Sequence, residues 1–190
     1  DEERSWTPIG LDGGINGTVD RRLQRYLAAR LGPLPGWTMS YGFDLNEWAS
    51  ESEVDEWAEF MKDHMGWNHL LMARDQQGKT YNGPDLDVQS IGGDGPSSYS
   101  DVLDEKLNSK PYVEEERFLF ERNMNLTYDM GNTMNVLWWM AMAEGQAGFW
   151  GTLWNGGNEY TKPDWLATYG KFWENRLLLD MEVDNSITDG

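Results

Sequence analysis

The stretch WTMSYGFDLNEW, residues 37–48, decides how the chain is read. Its first seven residues are too apolar and too short for a surface helix, which marks a buried strand. Asp44, Asn46, Glu47 and Trp48 then follow immediately beyond that strand. Helical patterns flank it on both sides. Upstream, Val19, Leu23, Tyr26, Leu27 and Leu31 recur on one face before Gly32-Pro33, predicting a helix over about 19–31 that buries this face. Downstream, Ser50 and Glu53 form a capping box, and Val54, Trp57, Ala58, Met61 and Met65 recur at helical spacing until Gly66 stops the helix.

The alternation continues along the chain. HLLMAR from His69, DVQSI from Asp87, KPYV from Lys110 and AGFWGTLW from Ala147 read as further short strands. Helical signals are weak after the second strand, then recur over about 98–107 and, nearly all apolar, over about 133–144. A last helix follows Thr161 and Pro163 and is expected to bury Trp165, Tyr169, Phe172, Trp173 and Leu177. Short apolar runs alternating with amphipathic helices indicate an α/β chain with parallel strands covered by helices. Such strands build either a doubly wound open sheet or a closed (β/α)8 TIM barrel. A complete barrel takes about 250 residues, against the 190 here. The expectation is therefore a single domain over 1–190 that supplies the last five β/α units, with the first three in a missing segment or on another chain. A barrel so opened exposes strand edges, and a partner that completes it is expected.

Composition excludes several classes of function. Against 33 acidic residues stand 15 basic ones, and the formal charge of −18 repels nucleic acid and anionic membranes. No apolar run is long enough to span a bilayer. Cysteine is absent, and His64 and His69 lack ligand spacing, so no metal centre is expected. The glycines of IGGDG lack the strand-to-helix context of a nucleotide cradle, and no cofactor is expected. The chain opens at Asp1 without a signal peptide, so a secreted form would begin after processing. Two sequons, Asn16-Gly-Thr18 and Asn125-Leu-Thr127, would accept glycans in an exported chain.

Strand ends in a parallel sheet place their loops on one face, where ligand sites collect. One such loop carries Asp44, Asn46 and Glu47, and another begins at Glu114, Glu115, Glu116 and Arg117. Two carboxylates delivered from different strand ends to one mouth are what glycoside hydrolysis needs, one to protonate the leaving oxygen and one to attack or to activate water. Alternation puts Val113 and Glu115 on one face and Tyr112, Glu114 and Glu116 on the other, leaving open which face is inward. Arg117 beside the site favours an ionised carboxylate, as a nucleophile requires. Ordinary ion pairing at a strand end explains the same residues. Trp57, Trp138, Trp139, Trp165 and Trp173 fall in helical patterns and read as core. Trp48, Trp150 and Trp154 follow or end strands, where a flat indole stacks on a sugar ring. Tyr99 and Asp94 lie in the loop GGDGPSSY, whose Gly-Asp-Gly-Pro is first of all turn chemistry.

Four segments together, RYLAARLGPLPGWTMSYGFDLNEW, HMGWNHLLMAR, KPYVEEERF and LWWMAMAEGQAGFWG, resemble the later barrel units of clan A glycoside hydrolases, in particular a poorly characterised branch of secreted glycosidases. The resemblance covers most of residues 20–180. It implies a retaining mechanism acting on a carbohydrate, with Glu115 as nucleophile, Glu47 as acid/base, and an extracellular or cell-surface location. Asn46-Glu47 falls several residues beyond Tyr41, so Asp44 is an alternative acid/base. Arg117 and Arg74 would support the carboxylates, whose separation in a retaining enzyme is about 5–5.5 Å. A different reading takes the chain as a barrel-derived carbohydrate-binding or assembly-forming protein with ion-paired carboxylates, because fold alone does not fix function.

Overall fold

A computed structural model describes residues 7–42, 44–75, 81–91, 99–105, 110–114, 130–147, 163–176 and 182. The chain divides into two compact units, Asp1–Gly93 and Asp94–Gly190.

In the first unit the order is α1 (Thr18–Leu31), β1 (Thr38–Ser40), α2 (Glu51–Met65), β2 (Leu70–Asp75) and β3 (Val88–Ile91). The three strands pair in sequence order and all run parallel. Met39 sits opposite Leu71, and Ala73 opposite Gln89. This face meets the helices in a core of Leu71, Ala73, Ala28, Trp57, Ala58, Met61 and Met65. Alternation turns Ser40, Met72, Arg74, Val88 and Ser90 to the other face.

Helix α2 forms as its sequence dictates. Ser50 Oγ accepts from the Glu53 N–H, and the Glu53 carboxylate accepts from the Ser50 N–H at 2.8 Å. Val54, Trp57, Ala58, Met61 and Met65 are buried, and Gly66 ends the helix at a φ of 75°.

Helix α1 has the expected bounds but a rotated inward face, in which Leu27 still packs against the core and Val19 and Leu31 are half-buried. It buries Asp20, Gln24 and Ala28, while Leu23 and Tyr26 are 49% and 60% exposed. The cause is a hydrogen-bond network that satisfies the polar face completely enough to bury it. One Asp20 oxygen accepts from the Asn16 N–H at 2.9 Å, from Gln24 Nε2 at 2.7 Å and from the Tyr41 hydroxyl at 2.5 Å. Asn16 then donates to the Glu53 carbonyl at 2.7 Å, tying the start of α1 to α2. At the other end Gly32 lies where a Cβ would stand 2.1 Å from the Met65 carbonyl oxygen, so the two helix ends meet closely.

Between β2 and β3 the described residues, 81–87, contain a turn and no helix. Tyr81 anchors this segment by donating to the Ala49 carbonyl at 3.1 Å. Asp87 accepts from the Leu71 N–H and from Lys62 Nζ, both at 2.9 Å.

In the second unit α3 (Tyr99–Glu105), β4 (Tyr112–Glu114), α4 (Met130–Met142), β5 (Gly145–Ala147) and α5 (Pro163–Trp173) follow one another. Strands β4 and β5 pair in parallel, Tyr112 opposite Gly145 and Glu114 opposite Ala147. β5 begins two residues before the expected Ala147, because the chain reverses directly out of α4 through Glu144 in a left-handed conformation. A Cβ on Gly145 would stand 2.9 Å from the end of Met140 and 3.1 Å from the Tyr112 ring, so the Tyr112 side of this pair is the one α4 covers. Helix α5 buries none of its residues fully. Trp165 and Phe172 are exposed, and Tyr169 and Trp173 are half-buried against Trp138 of α4. Trp138 meets Tyr169 and Phe172 edge to face at 5.0 and 4.9 Å, an aromatic contact that keeps an outer face rather than a sealed core. Leu177 lies outside the described residues.

Candidate functional site

The site starts from the loop that leaves β1. Leu45 is wholly buried and Trp48 nearly so, packing edge-on to Tyr41 with ring centres 5.4 Å apart. These two anchors pin a single 3-10 turn, Leu45–Glu47, against the core. Asp44, which enters that turn, adopts a left-handed φ of 49°, a conformation Asp tolerates better than most residues. The turn turns Asp44 and Asn46 to a half-buried position and leaves Glu47 exposed.

Arg74 comes to the same place from the neighbouring strand. Near the C-terminal end of β2 it is only 6% exposed, and its Nη2 donates to Asp44 Oδ1 at 2.7 Å. The Asp44 side chain keeps 33% of its surface in solvent, so this charged pair reaches from the buried sheet face to water. Beside Arg74 in the register stands Ser90 on β3, fully buried. Ser40, at the end of β1, donates to the Gly42 carbonyl at 2.9 Å. The Asp44–Arg74 pair therefore joins the ends of β1 and β2, with Ser90 opposite Arg74 on β3. A planar guanidinium fork next to carboxylate acceptors is suited to gripping adjacent hydroxyls or a planar acid.

The sequence singles out Asp44 and Arg74 separately, and the structure joins them. Glu47 sits in the same loop, exposed to solvent. Trp48 lies in the core cluster, where its ring meets Tyr41. Tyr99 belongs to the second unit, half-buried at the first residue of α3. Its hydroxyl is shifted toward higher pKa by burial and then by the charge of Glu144. Glu115, Arg117, Trp150, Trp154 and Asp94 lie outside the described residues. Of the glutamate triplet, Glu114 is described and is fully buried as the last residue of β4.

Ser90 and the Asp20–Tyr41 network escape a reading by sequence, since a serine in a strand and a polar residue on a helix carry no local mark of burial. Register alone would find Ser90, because it follows once Arg74 is placed. Tyr41 is held neutral to high pH first by burial, then by donating to Asp20 and facing its charge.

Both histidines have structural contacts. His69 Nε2 stands 2.7 Å from the Gly32 carbonyl with its ring stacked on Trp37 at 3.9 Å, and His64 Nδ1 is 2.7 Å from the Phe60 carbonyl. Among the described residues no group of three His, Asp or Glu is placed to hold a metal ion. The Asn16 sequon is also committed, since the amide nitrogen a glycan would occupy donates to Glu53. No protein-family model, curated protein or solved structure matches the chain.

Proposed function

We propose that the chain carries the later units of a (β/α)8 glycoside hydrolase acting on a poly- or oligosaccharide outside the cell, by a retaining mechanism with two carboxylates. The observation that carries this reading is the Arg74–Asp44 pair, which ties the ends of β1 and β2 into one polar cluster on the sheet face away from the helices. Ligand sites of parallel α/β folds collect at this end of the strands.

In this reading Glu115 attacks the anomeric carbon while Glu47 gives its proton to the departing glycosidic oxygen, leaving a covalent glycosyl ester. Water then attacks the anomeric carbon, Glu47 takes its proton, and the sugar leaves with Glu115 restored as carboxylate. Because Asp44 already engages Arg74, it suits sugar hydroxyls better than proton transfer, and Glu47 takes the acid/base role. Trp150 and Trp154 would stack on the sugar, with Arg117 beside the nucleophile. The remaining barrel units come from further sequence or from another chain.

A panel of 2-deoxy-2-fluoroglycosyl fluorides tests this directly, because a retaining enzyme accumulates the glycosyl ester and gains the sugar's mass. The expected adduct maps to the peptide containing Glu115, and Glu115→Gln abolishes it. An adduct that forms equally on Glu115→Gln removes the assignment. A non-catalytic carbohydrate-binding or assembly role is the second reading, favoured by the full burial of Glu114, the described member of the glutamate triplet, at the end of β4. It is expected to show glycan binding that Glu115→Gln leaves intact, with no adduct on the parent chain.

A further inference from the structure

Helix α1 concentrates positive charge in an acidic chain. Arg21, Arg22, Arg25 and Arg30 fall within its 14 residues, out of 15 basic residues in all. Arg21 is used internally, pairing with Glu56 at 3.6 Å and lying over the Phe60 ring at 4.3 Å. The other three are exposed and form no ion pair among the described residues. Arg22, Tyr26 and Arg30 follow one another at four-residue intervals, so they form one outward stripe, with Leu23 beside it. Its apolar members, Leu23 and Tyr26, are about half exposed, and Arg30 lies over the Tyr26 ring.

The neighbouring helix carries the opposite charge. Glu59 and Asp63 are exposed on α2, four residues apart on the side away from Val54, Trp57, Ala58 and Met61, while Glu56 beside them is taken by Arg21. At 1.5 Å per residue the basic stripe runs about 12 Å and the two remaining carboxylates span about 6 Å. Outward charges of opposite sign thus lie on two adjacent helices, which the Arg21–Glu56 pair joins.

We propose that this surface is the interface with a second copy of the chain, joined by a twofold axis so that α1 of each protomer lies on α2 of the other. A twofold contact requires a patch complementary to itself, and basic residues on one helix with acidic residues on its neighbour make such a patch. Tyr26 would form its water-excluding centre with Leu23 at its rim, and arginine and tyrosine are residues that protein interfaces favour. Local pairing is needed here because two chains of charge −18 otherwise repel.

Charge reversal tests the proposal on the whole chain by sedimentation velocity and light scattering. The parent is expected to run as a dimer at micromolar concentration. Variant one, Arg22→Glu with Arg25→Glu and Arg30→Glu, and variant two, Glu59→Lys with Asp63→Lys, are each expected to run as monomers with the parent's circular dichroism. Mixed in equal amounts they should regain the dimer mass, because each reversed stripe then meets its opposite. A parent that is monomeric at high micromolar concentration overturns the proposal, as does a dimer that persists in variant one. A mixture of folded variants that stays monomeric overturns it too.

Discussion

Helices α1 and α2 pack side by side and start from similar amphipathic patterns, and yet α1 buries polar residues that α2 does not. α2 turns Val54, Trp57, Met61 and Met65 into the core, whereas α1 turns in Asp20 and Gln24 and leaves Leu23 and Tyr26 outside. The difference teaches that apolar periodicity decides the inward face only while the polar face has no better partner. On α1 it has one. Asp20 gathers three donors, from Asn16 and Gln24 nearby in the chain and from Tyr41 beyond β1. A buried polar group whose hydrogen bonds are met stops opposing burial.

The largest effect is expected where the apolar pattern holds. Trp57 is almost fully buried and stacks on Tyr41 with ring centres 5.0 Å apart. Trp57→Ala should cost about 3–5 kcal/mol in urea unfolding, the usual result of emptying a large aromatic site. A loss below about 1 kcal/mol would mean that α2 does not form the core contact described for it.

On α1 the sensitive position is polar. Asp20→Leu matches the apolar pattern of the helix better than the native residue, so a reading by hydrophobicity expects a gain. The network implies a loss of about 3 kcal/mol, since buried donors on Gln24 and Tyr41 lose their acceptor. The sign of this one measurement separates the two accounts of α1.

The same network sets an alkaline limit. Burial, the hydrogen bond to Asp20 and the charge of Asp20 raise the pKa of Tyr41 above its unfolded value. A raised phenol favours the neutral form in the folded state, so its stabilisation is present below the unfolded value of about 10 and is lost as pH rises beyond it. Unfolding free energy should therefore fall above about pH 10, and Tyr41→Phe should flatten that fall. Tyr99 and Tyr169, also shifted upward by burial, leave a smaller residual slope.

Much of the architecture is legible from residues, and its limits have physical causes. Ser50, Glu53 and Gly66 mark α2 because capping is local, and the strand at 38–40 follows from a short apolar run between two such helices. The burial of Asp20 and Gln24 on α1 is not legible, because the decisive contact joins Asp20 to Tyr41 across 21 positions. The strand-end candidates Asp44 and Arg74 are visible as residues of the right type in the right loops. Their pairing depends on the register of β1 against β2, which no local pattern encodes. Trp48 shows the converse: its place after a strand resembles a sugar platform, but Gly42 leaves room for the indole to fold back, a Cβ there standing 2.7 Å from the ring.

The smallest expected effect completes the comparison from the exposed side. Leu23 holds a position that apolar spacing assigns to the core, and yet half its surface meets solvent. If the network orients α1, Leu23→Ser removes little burial, and urea unfolding of the charge-reversed monomer should shift by less than about 0.5 kcal/mol. Were the apolar stripe the inward face, the same change would cost about 2–3 kcal/mol by emptying a leucine site. Measuring it in the monomeric background keeps the fold separate from the interface. There Leu23 has only its own helix to stabilise, and any larger loss points to the inward face that apolar spacing favours.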